Sequence, residues 1–158
     1  MIIFKNEKNP TNLNDIEKVE KLIGLEFPNE YKEHILAHNG GQCFPNIFKF
    51  IEKGAETNSN IDWFLAIYDG QFDNLEWYVA IYKLKQKRLP INLLPIANDP
   101  GGNLVCISCL GKDYGSVYFW DHENEVDYEI EDDTNYSNLY LVSHSFKEFL
   151  ESLSSETI

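Results

Sequence analysis

The amino-acid sequence predicts an α+β fold in which helices pack on a mostly antiparallel β-sheet. The predicted order is helix, helix, strands, helix, strands, helix. Helices and strands that come in runs, and do not alternate one by one, are typical of this class. The chain has 158 residues, 43% of them hydrophobic, which is enough for one domain with its own core. We therefore expect a single domain over residues 1–158.

Residues 92–124 are predicted to form the centre of that sheet. Three strand-like runs, at 94–96, 104–109 and 117–120, are separated by two segments rich in Gly, Asn and Asp. Gly supplies the positive φ that tight turns need, and Pro fixes φ just before it. Consecutive strands joined by tight turns form an antiparallel meander. The remaining segments are expected to pack against this meander.

Capping residues mark the first two predicted helices. Asn14, with Glu17 three residues later, opens the first helix, and Gly24 closes it. Pro28 lies near the first turn of the second helix, which ends at the Asn-Gly-Gly of residues 39–41.

A third helix is predicted from Asp73 or Asn74 to about Lys87. Its last turns and the residue that follows carry a basic cluster that suits the negative end of the helix dipole: Lys83, Lys85, Lys87 and Arg88. We interpret this cluster as a helix terminus and not as a binding patch. Ser145 and Glu148 form a capping box that opens the last helix.

Apolar patterning predicts the other strands. Residues 42–51 are β-like, 61–68 are expected to form a central strand, and 139–142 a last strand, whereas 53–60 are expected to form a polar loop. At the ends, we expect residues 1–11 to be a short strand or a loose arm and residues 154–158 to be frayed.

Cysteine usage and hydropathy restrict the location. Three Cys in a Cys-poor chain argue against a disulfide framework and for a reducing compartment. The first five residues lack the apolar run of a signal peptide, and the longest apolar run, at 63–68, is far shorter than the roughly 20 residues of a spanning helix. We therefore expect a cytoplasmic protein without membrane association.

The net charge of −13 is concentrated in the C-terminal half of the chain. Residues 89–158 hold 2 Lys and 13 Asp or Glu, which gives −11. Such a field repels nucleic acid and anionic lipids and attracts basic proteins or cations. Solubility alone is the simpler explanation of the same charge.

The most unusual segment is 121–133, where every odd position is acidic: Asp121, Glu123, Glu125, Asp127, Glu129, Glu131 and Asp133. The even positions include Val126, Tyr128 and Ile130. Because strand side chains alternate between faces, an extended conformation would place a row of carboxylates opposite an apolar row. In water, neighbouring charges in that row would repel by about 0.6 kcal/mol per pair, a cost that a basic partner would remove.

We therefore expect a partner-binding surface made of Asp121, Glu123, Glu125, Asp127, Glu129 and Glu131. An alternative of equal weight is a solvated edge strand whose charges discourage edge-to-edge aggregation. A calcium loop of the EF-hand type is not supported, because its sixth position requires Gly and is Val126 here.

Other residue patterns give little support for catalysis or for a cofactor. Cys106 and Cys109 form a CxxC, but in a strand they face opposite ways, and no second pair completes a zinc site. His34 and His38 share a helix face without an HExxH motif, and His122 could pair with a carboxylate. The sequence has no GxSxG and no phosphate-binding glycine loop. We expect no enzymatic activity, catalytic residue, cofactor or metal.

Three motifs in the same order resemble the SUKH superfamily. The first comprises Ile16-Glu17-x-Val19-Glu20, Phe27-Pro28-x-x-Tyr31-Lys32 and Asn39-Gly40-Gly41. The second comprises Pro95-Ile96-Ala97, Asp99, Gly101-Gly102-Asn103, Val117-Tyr118 and Trp120-Asp121-His122-Glu123. The third is Ser145-Phe146-x-x-Phe149-Leu150. Two departures are mild: Phe27 stands where that family usually has Leu, and His34 where it is often aromatic.

The resemblance implies an α+β domain without catalytic residues. The superfamily includes fungal cell-wall-synthesis regulators and many bacterial immunity proteins, which bind and neutralise a cognate toxin, often a nuclease. Nuclease toxins are basic because they bind phosphates, so an acidic surface would suit such a partner and speed association. The expected function is toxin neutralisation by a cytoplasmic, non-catalytic binding protein. The alternative is an intracellular regulatory or scaffold protein of the cell-wall-regulator type.

Overall fold

Five antiparallel strands form the centre of the computed structural model, which describes residues 1–157. In chain order the elements are β1 (Ile3–Lys5), α1 (Leu13–Ile23), α2 (Asn29–Ala37), β2 (Gln42–Phe44), β3 (Ile47–Glu52), β4 (Ala55–Asn60), β5 (Trp63–Phe64), α3 (Leu75–Tyr78), a π-helical segment (Val79–Lys85), β6 (Leu93–Asn98), β7 (Leu104–Ser108), β8 (Val117–Trp120), a 3₁₀ helix (His122–Asn124), β9 (Leu139–Ser143) and α4 (Phe146–Ser152). The predicted α+β class is confirmed.

The central sheet has the strand order β5-β6-β7-β8-β9, and each strand runs antiparallel to its neighbours. The predicted meander and the predicted last strand are both present. Two small antiparallel pairs, β1–β2 and β3–β4, complete the β-structure, and β3 lies against β9.

Both faces of this sheet are covered. Successive strand residues point to opposite faces, so β7 sends Val105 and Ile107 into the main core and Cys106 to the other face. The helices α1, α2 and α4 contribute to the main core, as do Leu75 and Val79. Tyr82 packs on the second face, and Tyr78 contacts both cores. This arrangement explains why every residue of β6, β7 and β8 is buried.

Local chemistry fixes the helix ends, partly as predicted. Asn12, not Asn14, caps α1, because its side chain accepts from the backbone N–H of Asp15 at 2.9 Å. Gly24 ends this helix with φ +70°, as expected for a left-handed cap. Ser145 caps α4 by accepting from the N–H of Glu148 at 3.1 Å, also as predicted.

Two predictions between β2 and α3 are wrong. The expected polar loop contains strand β4, which pairs with β3 along its whole length, because an edge strand needs only backbone hydrogen bonds and its side chains can be polar. The expected central strand at 61–68 is reduced to β5 at the sheet edge. The rest of that run is buried but irregular, since the Asn39 side chain bonds both the N–H of Ile67 (2.9 Å) and its carbonyl (2.8 Å).

The chain ends are tied to the domain. Residues Ile3–Lys5 form strand β1 against β2, so the N-terminal segment contains a strand. Ser154 and Ile47 exchange two backbone hydrogen bonds of 2.9 Å, which holds the first residue of the segment expected to fray. Ile158 lies outside the described residues. Within residues 1–157, none of the helices has the length and apolar character that crossing a bilayer requires.

Candidate functional site

The acidic loop, residues 121–133, is not the extended strand that its alternation predicted. It begins with the 3₁₀ helix and continues as a series of turns. Three of its carboxylates accept from the N–H two residues further on: Asp121 from Glu123 (2.9 Å), Asp127 from Glu129 (2.9 Å) and Asp132 from Thr134 (2.8 Å). Such side-chain bonds give the backbone an alternative to a strand ladder.

The predicted alternation of buried and exposed side chains along this segment is also wrong. Val126 is buried, but Tyr128 is half-buried and Ile130 is 81% exposed. The predicted partner-binding carboxylates nevertheless face water. Asp121 is half-buried, and the others are exposed: Glu123, Glu125, Asp127, Glu129 and Glu131. The structure therefore presents these charges around a loop and not along a flat row.

Arg88 holds the loop at its centre. Its Nε donates to Oε1 of Glu125 at 2.9 Å, and Nη2 pairs with the same oxygen. Its guanidinium carbon lies 4.4 Å from the ring centroid of Tyr82 and 5.2 Å from that of Trp120. Stacking and ion pairing together use the planar guanidinium in a way that Lys cannot reproduce.

Two further contacts fix the loop to the chain after the π-helical segment. The N–H of Tyr128 donates to the carbonyl of Lys87 at 3.1 Å, and the N–H of Ile91 donates to Oδ1 of Asp133 at 2.8 Å. The basic cluster and the acidic loop thus line one groove, which sequence reasoning treated as two separate features.

Only part of the loop charge is neutralised within the chain. Residues 121–133 contain eight Asp or Glu and no Lys or Arg. Among residues 1–157, Glu125 is the one member of this set that forms an ion pair. The exposed carboxylates of Glu123, Glu129 and Glu131 have neither an ion pair nor a capping role in the described part of the chain. These three are among the seven loop carboxylates that have no ion pair in the described residues.

The Asp-Pro-Gly-Gly-Asn turn at 99–103 has a structural role. Asp99 is only 8% exposed, and its carboxylate accepts from the N–H of Gly101 (2.9 Å), the N–H and side chain of Asn103 (2.8 and 3.0 Å) and the Ser59 hydroxyl (2.8 Å). Gly102 adopts φ +91°, which favours Gly. The turn is consequently fixed from within.

Asn103 links this turn to the start of the acidic loop. Its Oδ1 accepts from the backbone N–H of His122 at 3.0 Å and lies 2.6 Å from Nδ1 of that imidazole. Beside it, the N–H of Asp121 donates to the carbonyl of Asn138 at 3.0 Å, and the side-chain amide of Asn138 donates to the carbonyl of Asp121 at 3.1 Å. The sequence suggested a carboxylate partner for His122, but the structure gives it the amide of Asn103.

A second carboxylate network, around the half-buried Asp113, was not foreseen. Asp113 accepts from the hydroxyls of Ser108 (2.7 Å), Tyr118 (2.7 Å) and Tyr136 (2.9 Å). Burial raises the pKa of Asp113, but these three hydrogen bonds outweigh burial and leave the pKa below its usual range. Because Tyr136 follows the acidic loop, this network holds the far side of the loop. Ser108 and Tyr118 each lie five residues from Asp113, and Tyr136 lies 23 residues away, a spacing that matches no motif identified in the sequence.

A cavity of about 220 Å³ lies beside the acidic loop, lined by Ile23, Lys83, Leu84, Lys87, Leu89, Ile91, Tyr128 and Asp133. Lys83, a member of the basic cluster, is buried. Its ammonium donates to the carbonyls of Pro90 (3.1 Å) and Ile91, and burial lowers its pKa to about 8.

Cys106, Cys109 and His34 are buried, whereas His38 contacts a carboxylate. Cys106 and Cys109 are free buried thiols, and burial raises the pKa of both, to about 12 for Cys109. Burial, and then the nearby His38, lower the pKa of His34 to about 3. His38 lies 2.7 Å from the Glu7 carboxylate. In the described part of the chain no three His, Cys, Asp or Glu side chains are grouped to hold a metal ion.

Comparison with known proteins places these features in a family. The SPbeta prophage-derived uncharacterized protein YokK of Bacillus subtilis (strain 168) is 27% identical over 160 residues, which is 90% of this chain and 74% of that protein. The uncharacterized protein YnaB of the same organism is 42% identical over 40 residues, 25% of this chain and 28% of that protein. A model of the SMI1 / KNR4 family (SUKH-1) matches residues 10–152. The chain therefore belongs to the SMI1 / KNR4 family (SUKH-1).

Proposed function

We propose that this protein is a non-catalytic immunity protein that uses the acidic loop as its binding surface. In this role it binds and neutralises a basic toxin domain. The observation that carries the proposal is the loop itself. It presents eight acidic side chains within 13 residues, and Glu125 alone is ion-paired within residues 1–157. Family membership supports a role in protein binding.

The loop is suited to rapid binding because it is already ordered. Asn103 holds its start, Arg88 its centre, and the network around Asp113 its far side. A surface held in shape before binding loses less conformational entropy on association. Its negative field would also steer a basic partner during diffusion, which raises the association rate.

The relatives favour the immunity role over housekeeping. The YokK protein is described as prophage-derived, an origin that suits a protective protein carried together with its toxin better than a housekeeping protein. A toxin with a nuclease domain would carry the basic surface that phosphate binding requires. The proposed site of action is the cytoplasm, where such a toxin meets its substrate.

The proposal is tested by co-expression with the polypeptide encoded beside this gene. The wild-type chain should restore growth that the toxin stops. The triple variant Glu123→Lys, Glu129→Lys and Glu131→Lys should protect poorly, because it reverses three exposed charges of the loop. A matched control with the same change of net charge is Glu17→Lys, Glu33→Lys and Glu56→Lys, at exposed positions elsewhere. Equal protection by both variants would refute a role for the loop.

A regulatory or scaffold function of the cell-wall-regulator type is the second candidate. It is favoured by the family to which the chain belongs. It predicts a partner encoded elsewhere and no protection from any neighbouring gene product. Stable association with such a partner, together with failure to protect in the co-expression assay, would favour this candidate.

A further inference from the structure

We infer that the partner inserts one apolar side chain into the cavity beside the acidic loop, so that the recognised segment is an apolar residue flanked by Lys or Arg. The inference rests on the proposed function and specifies the chemistry of its partner. It follows from the position of the cavity, from the exposed apolar residues around it, and from the distribution of charge at its wall and rim.

The cavity is large enough for one such side chain. Its volume is about 220 Å³, whereas an apolar cavity of roughly 150 Å³ accommodates benzene. Leu84 (38% exposed) and Ile91 (59% exposed) belong to its lining, so it opens to the surface. The burial of one aliphatic or aromatic side chain is therefore possible without unfolding any element.

The acidic loop forms one wall of the cavity and carries a further apolar side chain outside it. Tyr128 and Asp133 line the cavity. Between them the chain turns, with the N–H groups of Ile130 (3.1 Å) and Glu131 (2.9 Å) both donating to the carbonyl of Asp127. This turn leaves Ile130 81% exposed, with an acidic neighbour on each side. Apolar side chains surrounded by charge are typical of protein interfaces, which have an apolar centre and a polar rim.

Charge decides which part of the partner enters the cavity. Two cations, Lys83 and Lys87, line the cavity against one carboxylate, that of Asp133. A further cation inside the cavity would therefore meet a net positive charge and be repelled. Outside, Glu129 and Glu131 are exposed and have no ion pair in residues 1–157. An apolar side chain inside and cationic side chains on the rim satisfy both conditions. Because apolar burial is not screened by salt, part of the affinity should persist at high ionic strength.

The test uses the full-length protein with ¹³C-labelled Ile methyl groups and three synthetic peptides. The first is Lys-Lys-Leu-Lys-Lys, the second replaces Leu by Ser, and the third replaces each Lys by Glu. The Leu peptide should shift the methyl signals of Ile91 and Ile130. Ile51, which is 58% exposed on β3, is the matched control and should not shift. The Ser peptide should bind about tenfold more weakly, since burial of a Leu side chain is lost.

A variant that fills the cavity checks the site directly. Leu84→Phe changes a partly exposed side chain, so the fold should tolerate it, and the Leu peptide should lose its advantage over the Ser peptide. Equal binding of the Leu and Ser peptides to the wild type, or no shift at Ile91, would overturn the inference. Binding through charge alone would leave the proposed function standing.

The same labelled sample tests two other occupants. Shifts of Ile91 and Ile130 that grow with protein concentration in the absence of peptide would assign the cavity to a second copy of this chain. Equal shifts with the Glu peptide would show that the cationic flanks are irrelevant. Either result would overturn the inference.

Discussion

The turn at 99–103 and the acidic loop at 121–133 both depend on carboxylates but use them in opposite ways. Asp99 is 8% exposed and accepts four hydrogen bonds from its own turn and from Ser59. Glu123 and Glu129 are exposed and carry no ion pair within residues 1–157. The difference teaches that carboxylates in this chain have two tasks: Asp99 stabilises its turn, whereas Glu123 and Glu129 have neither an ion pair nor a capping role in the described residues.

The largest expected effect is on the turn at 99–103. Asp99→Ala should lower the free energy of unfolding by about 3–5 kcal/mol, because a buried carboxylate that accepts four hydrogen bonds is lost. Urea unfolding measures this change. Asp99→Asn keeps one oxygen for the backbone N–H groups and should cost less. A loss below about 1 kcal/mol for the Ala variant would contradict the structural role of Asp99.

Removal of the Arg88 side chain should have a smaller and more local effect on stability. Arg88→Ala breaks the ion pair with Glu125 and the stacking on Tyr82, and should cost about 1–2 kcal/mol. Backbone hydrogen exchange should become faster in residues 121–133. Lys85→Ala, at an exposed position of the same segment, is the control and should change neither measurement. If both variants behaved alike, Arg88 would not hold the loop.

The Asp113 network should show a pH dependence of known sign. Because the pKa of Asp113 is lowered from 3.8 in the folded protein, its contribution is present above about pH 3.8 and is lost as the pH falls through the folded value. Asp113→Asn should be less stable than the wild type by about 1 kcal/mol at pH 7. Urea titrations from pH 7 to pH 3 should show this gap closing. A gap that widens in acid would contradict the assignment.

The smallest effect on stability is expected from the exposed carboxylates. The variant Glu123→Lys, Glu129→Lys and Glu131→Lys should unfold within about 0.5 kcal/mol of the wild type, because surface charges contribute little. Relief of mutual repulsion would make the change slightly stabilising. A loss of several kcal/mol would show that these side chains stabilise the fold, and would remove the contrast between the two regions.

Sequence reasoning predicted what local chemistry determines. The meander between Leu93 and Trp120, the Gly24 helix end and the Ser145 cap each depend on a few neighbouring residues. Strand β4 was missed because its residues are polar, and pairing with β3 is a property of the backbone. The alternation at 121–133 predicted a strand, but Asp side chains there bond their own turns.

The candidate site was predicted only in part. The exposure of most of the loop carboxylates follows from their charge, and their role in binding stays a prediction. The Arg88–Glu125 pair joins residues 37 positions apart, and the bond between Tyr136 and Asp113 joins residues 23 positions apart. The burial of Lys83 likewise depends on the chain that follows it. Such contacts arise from tertiary packing, and a single sequence carries no periodicity that reveals them.

The most direct test of the account is hydrogen exchange of the full chain, free and bound to the toxin against which it protects. Residues 121–133 should show the largest slowing of exchange on binding, and residues 84–91 beside the cavity should show the next largest. Unchanged exchange in 121–133, with slowing confined to another surface such as the β1–β2 pair, would contradict the account.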